Sequence, residues 1–223
     1  QTYTGSSITI SPTVTFNSTT LSETTDYTVG FTDNTNAGTA SLTITGTGNF
    51  TGTKTVSFTI VKASPTITFA DVTKIYGESD FDLTATSSST GAFTYTIADT
   101  DIATVTGSTT TIVGAGTTTV TVSQAADTNY NTATATMTLT VSQADLSTTS
   151  IAAIPDQTYT GSSITISPTV TFNSTTLSET TDYTVGFTDN TNAGTASLTI
   201  TGTGNFTGTK TVSFTIVKAS PTI

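Results

Sequence analysis

The most constraining feature of the chain is an internal duplication. Residues 1–67, here called the first copy, recur letter for letter as residues 157–223, the second copy, at an offset of 156 residues. Self-similarity at a fixed long period is typical of a modular array. Even the threonines and serines expected to face water are identical, which indicates a recent duplication rather than selection for packing. Because IAAIPD precedes only the second copy, we expect the sequence to be a window on a longer array.

Alternation of apolar and polar residues predicts strands with one buried face. The clearest run, ATATMTLTV at 133–141, puts Ala133, Ala135, Met137, Leu139 and Val141 on that face. The runs TVTF, KTVSFTI and FTYTI add the predicted inward residues Val14, Phe16, Val56, Phe58, Ile60, Phe93, Tyr95 and Ile97. Thr supplies 67 of the 223 residues and suits a pleated surface. No stretch has helical periodicity, so the predicted class is all-β, built as sandwiches.

A period of 156 residues is too long for one sandwich and suits two alternating types. We predict a truncated type A module at 1–63, a type B module at 64–144, a type A module at 145–219 and the start of the next type B module at 220–223. The joints IVKASPTI and VSQADLST are short and lack the Gly/Ser tracts of flexible linkers. Pro65 and Pro221 stiffen the first kind of joint. We therefore expect modules tethered end to end with restricted bending.

Both module types share one C-terminal pattern. AGTASLTI at 37–44 parallels AGTTTVTV at 115–122, and each is followed by an Asn–aromatic pair, Asn49–Phe50 or Asn129–Tyr130. A last alternating strand comes after each pair. This pattern predicts one hairpin plan used twice, with the aromatic ring as a core anchor at a corner, much as a tyrosine corner serves Ig-like sandwiches.

The sequence resembles bacterial surface repeats of the Ig-like type. The first copy carries part of that resemblance, through YTGSSITISPTVTF and DYTVGFTDNTNAGTASLTITGTGNFTGTKTVSFTI. The type B stretch is similar to the Ig-like "MBG" repeats of giant secreted Bacteroidetes proteins, through KIYG at 74–77 and AADTNY at 125–130. Those proteins include very large adhesins on gliding filamentous cells. The resemblance implies cell-surface display and adhesion, with no catalytic residues to transfer.

Charge and composition exclude several function classes. Fifteen acidic residues against five Lys give a net charge of −10, which repels phosphate and anionic membrane surfaces. No apolar run approaches the roughly 18 residues of a membrane helix. Without Cys, each module must be held by its own core. Without His or Cys, and without a GxSxG or SxxK motif, we expect no enzymatic activity; an Asp80/Asp82 glycosidase dyad is the catalytic alternative we considered.

Calcium is the metal to consider, because acidic residues concentrate in or beside the type B module. Asp-rich loops of extracellular sandwiches often supply the hard oxygen ligands of calcium. Asp99 and Asp101 are the first candidates, followed by Asp145 or Asp156 near the joint. Solvated loop carboxylates that keep a long polymer soluble are the competing interpretation, and we predict no metal, cofactor or catalytic site outright.

Three further roles are alternatives to a structural one: covalent cross-linking, ice binding and glycan binding. Lys54 and Lys210 occupy positions of KTVSFTI that alternate with the outward residues and so are predicted to face inward. Two interpretations follow: the lysine forms a cross-link to an asparagine, or it lies at the strand end and its ammonium reaches water. Ice binding by TxT patterns is disfavoured because sandwich sheets twist. Glycan binding by avidity is the main alternative. The prediction is an extracellular stalk or filament of a bacterial surface adhesin. Its expected partners are neighbouring modules, homotypic fibre contacts, and surface glycans or substratum bound through other domains.

Overall fold

The structure, a computed structural model, describes residues 1–221. The chain forms two compact units. The first consists of Gln1–Phe69, Thr84–Thr94 and Val122–Ala135, and the second of Ala70–Leu83, Tyr95–Thr121 and the residues from Thr136 onward. The stretch predicted as the type B module contributes to both units, and the boundaries at 63 and 144 stay predictions. Of the predicted next module at 220–223, Thr222 and Ile223 lie outside the described residues.

Strands account for nearly all the regular structure. Up to residue 97 they are β1 (Thr15–Phe16), β2 (Thr19–Thr20), β3 (Tyr27–Thr32), β4 (Gly38–Gly46), β5 (Thr53–Ile60), β6 (Ile67–Thr68), β7 (Val72–Ile75), β8 (Phe81–Asp82), β9 (Thr86–Ser87) and β10 (Phe93–Ile97). The middle strands are β11 (Ala103–Thr106), β12 (Thr109–Ile112), β13 (Gly116–Gln124), β14 (Ala133–Ser142) and β15 (Ala144–Asp145). After the 3₁₀ helix Leu146–Thr148 come β16 (Ser150–Ile151), β17 (Gln157–Thr158), β18 (Val170–Phe172), β19 (Thr175–Thr176), β20 (Tyr183–Thr188), β21 (Gly194–Gly202), β22 (Phe206–Thr207) and β23 (Thr209–Val217). The predicted all-β class is confirmed.

The second copy forms a sandwich of two sheets. One sheet has the order β17-β23-β21-β20 and the other β16-β18-β19. Along β23, Phe214 and Ile216 are buried while Thr215 between them is exposed, as the alternation predicts. The core between the sheets consists of Ala144, Leu146, Ile164, Val170, Leu177, Tyr183, Ala196, Leu198, Ile200, Phe206, Phe214 and Ile216. This core includes two residues, Ala144 and Leu146, that precede the repeated sequence.

In the first copy β1 to β5 correspond to β18, β19, β20, β21 and β23 of the second copy, and the core is smaller. Its main sheet is β3-β4-β5, and Ile8, Ala40 and Ile60 make its core cluster. The predicted inward positions Phe16 and Val56 are wrong here, since Phe16 is 56% exposed and Val56 48% exposed. Residues 144–156, here called the lead-in, run up to the second copy, and Ala144 and Leu146 of this segment lie in its core. Sequence identity therefore does not give the two copies identical burial.

The middle stretch also follows its predicted alternation. In β14, Met137, Leu139 and Val141 are buried, and β14 pairs in parallel with β7 through Leu139 and Val72. In β10 the predicted inward residues are half-buried between exposed threonines. A second sheet has the order β11-β12-β8, and β6 pairs with β9. Within residues 1–221, no helix has the length and apolar character needed to cross a membrane.

Candidate functional site

The first joint, inside the first compact unit, pairs the end of the first copy with a loop at 127–131. The backbone N–H of Ala63 donates to the carbonyl of Asn129 at 2.9 Å, and the N–H of Asn131 donates back to Ala63 at 2.8 Å. The Lys62 ammonium donates to the carbonyl oxygen of Asp127. The backbone N–H and C=O groups of this joint are therefore paired as in a strand, whereas those of a flexible linker would be exposed to solvent.

The side chain of Asn129 and the ring of Tyr130 complete this joint. The Oδ1 atom of Asn129 accepts from the backbone N–H of Ala37 at 2.9 Å, and its Nδ2 donates to the Asn36 side chain at 3.1 Å. Tyr130 meets Tyr3 edge-on, with ring centroids 5.4 Å apart at 83°. Such edge-to-face pairs stabilise by about 0.5–1.5 kcal/mol beyond their burial.

Asp127 holds the Asn–aromatic loop in shape. Its Oδ1 accepts from the backbone N–H groups of Asn129 and Tyr130, each at 2.8 Å. Its Oδ2 accepts from Ser89 and Thr90 at 2.8 to 3.0 Å. Hydrogen bonds to the charged form, led by the Thr90 backbone N–H, hold the pKa of the Asp127 carboxyl well below its usual range. The loop that makes the joint is thus shaped by an ionised carboxylate.

The second joint, inside the second compact unit, is built from the same parts. The Oδ1 atom of Asn205 accepts from the backbone N–H of Ala115 at 2.7 Å, and its carbonyl accepts from Ala144 at 3.0 Å. Strands β15 and β22 pair in parallel. Phe206 meets Tyr76 edge-on, with centroids 5.3 Å apart at 86°. We call this arrangement the clasp. In it the asparagine side chain accepts from the backbone N–H of an alanine, the aromatic ring meets a tyrosine ring edge-on, and the backbone of the pair forms hydrogen bonds with the backbone of the joint.

Glycines let both sides of the second clasp approach closely. Gly77 of the KIYG motif has φ of 87°, and a Cβ there would lie 2.4 Å from the Phe172 ring. Its carbonyl accepts from the Asn173 amide at 2.9 Å. Gly116, which follows the clasped Ala115, has φ of 153°, a conformation that L side chains rarely adopt. Gly77 of the KIYG motif therefore allows a close approach to Phe172, whereas a Cβ at Gly116 would meet Ile102.

The same elements occur at the two outer positions of the chain. Asn49 and Phe50 of the first copy correspond to the clasped Asn205 and Phe206, yet Asn49 is exposed and Phe50 only half-buried. Tyr159 corresponds to the clasped Tyr3 and is 40% exposed.

Two of the predicted calcium residues, Asp99 and Asp145, have carboxylates that already accept hydrogen bonds within the protein. The Asp99 carboxylate accepts from the backbone N–H of Asp101 at 3.0 Å, and Asp99 N–H donates to Thr118. Asp145 caps the 3₁₀ helix, and hydrogen bonds from Ser147 lower the pKa of its carboxyl. Asp156 is exposed. Among the described residues no group of three or more acidic side chains comes together to hold a metal, and calcium binding remains untested.

The other candidates fall into structural positions. Asp82 accepts from the hydroxyls of Ser108 and Thr109, and Asp80 is exposed. Lys54 is exposed, in accord with a strand-end lysine that reaches water. Lys210 is half-buried, and its ammonium donates to the carbonyl oxygen of Thr149. The cross-link and the glycosidase dyad gain no support from these contacts.

Sequence reasoning recognised the Asn–aromatic pairs but not their part in the joints. The predicted core role was assigned to Phe50 and Tyr130, which are both only half-buried, whereas Phe206, the equivalent of Phe50 in the second copy, is 2% exposed. The asparagine was the feature that could have indicated this role. A polar residue precedes the aromatic in both module types, and a hairpin core does not require a polar residue there. Its repetition beside two different joints could have indicated a shared contact.

Comparisons with known proteins identify no family. No protein-family model matches the sequence, and no curated protein matches it. Titin domains I67–I69 match at 11% identity and a TM-score of 0.39, over 90% of this chain and 85% of theirs. Domains 4–9 of the surface layer protein SbsC match at 16% identity and a TM-score of 0.27, over 90% and 41%. A SusE-like surface-located polysaccharide-binding protein of Bacteroides thetaiotaomicron matches at 13% and 0.24, over 73% and 35%.

Proposed function

We propose that the chain is a structural segment of a bacterial extracellular stalk, in which clasped sandwich modules extend an adhesin from the cell surface. The observation that carries the proposal is the recurrence of the clasp. Two joints between different module types use the same Asn contact, the same edge-on aromatic pair and the same backbone pairing. A stalk needs this kind of joint, because each clasp limits the bending of one module against the next.

The surface chemistry supports an inert, soluble spacer. The net charge of −10 on 223 residues keeps copies of the chain apart and in solution. Outward threonines cover the strands, and no acidic cluster among the described residues offers a metal site. Display outside the cell, absence of catalysis, multivalent attachment and homotypic fibre packing belong to this proposal. Tip domains elsewhere would bind the glycans or substratum.

The test measures joint flexibility in the 223-residue chain. The chain lacks cysteine, so Thr59→Cys and Thr134→Cys place two spin labels on exposed strand positions either side of the first joint. Double electron–electron resonance should give a narrow distance distribution. Asn129→Ala should broaden it, because it removes two hydrogen bonds of about 0.5–1.5 kcal/mol each.

Asn49→Ala is the matched control, since it changes the same motif position outside a clasp and should leave the distribution unchanged. A broad distribution in the unaltered chain would refute the restricted joint and with it the stalk. Retention of the chain on a glycan array would instead favour the glycan-binding alternative.

A further inference from the structure

The first copy carries an open apolar groove. Its volume is about 300 Å³, and Val14, Phe16, Leu21, Tyr27, Ile44 and Phe50 line it. The equivalent residues of the second copy belong to its core or pack against it. Phe16 is 56% exposed, whereas Phe172 is half-buried; Phe50 is half-buried, whereas Phe206 is 2% exposed. The same sequence therefore forms an open groove in the first copy and a filled one in the second copy.

The lead-in fills the groove of the second copy. Leu146 is fully buried in that core. On one side of it β15 pairs in parallel with Phe206–Thr207, and on the other β16 pairs antiparallel with β18 through Ile151 and Val170. Main-chain pairing combined with one buried side chain is the way in which an added strand binds a sheet edge.

Polar contacts orient the lead-in as well. The Lys210 ammonium donates to the carbonyl of Thr149, and the Thr149 hydroxyl donates to the Leu146 carbonyl at 2.7 Å. Asp145 caps the turn through the backbone N–H of Ser147 at 2.8 Å. Lys54, the residue equivalent to Lys210, lines the open groove and is exposed. The first copy therefore presents both the apolar groove and the cation that the lead-in uses.

We propose that this groove is a docking site for a lead-in segment with the sequence ADLSTTSIAAIPD, as carried by residues 144–156. The identical second copy shows what the groove accepts: one leucine in the apolar floor, paired backbone on both sides and a carbonyl on the lysine. A type A module is complete only with such a segment. This inference concerns how a module closes, and it holds whether or not the array acts as a stalk.

The experiment uses the 223-residue chain and a fluorescein-labelled peptide of residues 144–156. Fluorescence anisotropy should show saturable binding, and a peptide carrying Leu146→Asp should not bind. Lys54→Met should weaken binding about tenfold, the effect of losing a hydrogen bond to a charged group. Lys218→Met removes the same charge from an exposed position outside the groove and should leave the affinity unchanged.

Three outcomes would overturn the proposal. The first is the absence of binding up to about 1 mM peptide, because a dissociation constant above that concentration would be too weak for a specific complementary groove. The second is equal weakening by Lys54→Met and Lys218→Met, which would mark binding as non-specific charge attraction. The third is a concentration-dependent dimer of the chain that the peptide does not displace, which would make a second chain the occupant.

Discussion

The two copies allow one substitution to be compared in two environments of identical sequence. Phe206→Ala and Phe50→Ala remove the same ring from the same local sequence. Phe206 is 2% exposed and meets both Tyr76 and Phe172 edge-on at 5.3 Å. Phe50 is half-buried and meets Phe16, the equivalent of Phe172, at 5.4 Å. The difference between the two losses in free energy of unfolding measures how much the lead-in and the clasp contribute to the stability of the second copy.

The expected magnitudes follow from burial. A fully buried Phe→Ala change costs about 3–5 kcal/mol, which we expect for Phe206. Half the burial gives about 1–2 kcal/mol for Phe50. The second edge-on pair of Phe206 adds about 0.5–1.5 kcal/mol to this contrast. The free energy of unfolding should therefore fall about 2.5–4.5 kcal/mol further for Phe206→Ala, a factor of about 70 or more in the unfolding equilibrium.

The assay must report each copy separately, because an array of modules does not unfold in one step. Ala40 and Ala196 occupy equivalent positions and are each 0% exposed. Ala40→Cys or Ala196→Cys introduces the only thiol of the chain, and pulsed thiol labelling across a urea series then follows that copy alone. Each phenylalanine substitution is measured with the probe in its own copy.

Equal losses in the two copies, within about 0.5 kcal/mol, would refute the reasoning, because the burial difference would then carry no free energy. A larger loss for Phe50→Ala would have the same force. A drop in stability at the Ala40→Cys probe caused by Phe206→Ala would show instead that the two copies unfold together.

Three more changes have expected outcomes. Asp127→Asn should reduce the fall in melting temperature between about pH 4 and pH 2. The pKa of Asp127 is depressed in the folded protein, so its stabilisation is complete above the unfolded pKa of about 3.9 and lost as pH falls. Thr180→Gly should raise the free energy of unfolding by about 1 kcal/mol in urea titration, because a β-branched residue at φ of 75° is strained, whereas Thr184→Gly inside a strand should lower it. Chelation with EDTA should leave the melting temperature unchanged, since Asp99 already binds the Asp101 backbone; a decrease that calcium reverses and Asp101→Asn abolishes would establish the calcium site instead.

The strands were predictable because alternation depends on local sequence alone. In β14 the inward residues Met137, Leu139 and Val141 are buried as the pattern requires. Phe16 and Val56 show the limit of this reasoning, since the same alternation predicts burial that the first copy does not provide. An inward-facing side chain is buried only where a second layer covers it, and here that layer comes from residues outside the repeated sequence.

The clasp was less predictable, because its partners lie far apart in sequence. Asn129 binds Ala37 across 92 residues, and Asn205 binds Ala115 across 90. The motifs AGT and Asn–aromatic were recognised on each module, but local patterns do not state which surface meets which. The depressed pKa of Asp127 likewise depends on Ser89 and Thr90, which no spacing rule connects to it.

The repeat period and the unit of folding therefore need not share boundaries. Each compact unit contains one clasp together with the sandwich that it joins, and the lead-in before Gln157 supplies Leu146 to the core of the second copy. A chain started at Gln157 would repeat the sequence faithfully and still expose the groove, whereas one started at Ala144 would close it. The segment before the second copy is therefore part of its fold, because Leu146 lies in the core that this copy forms.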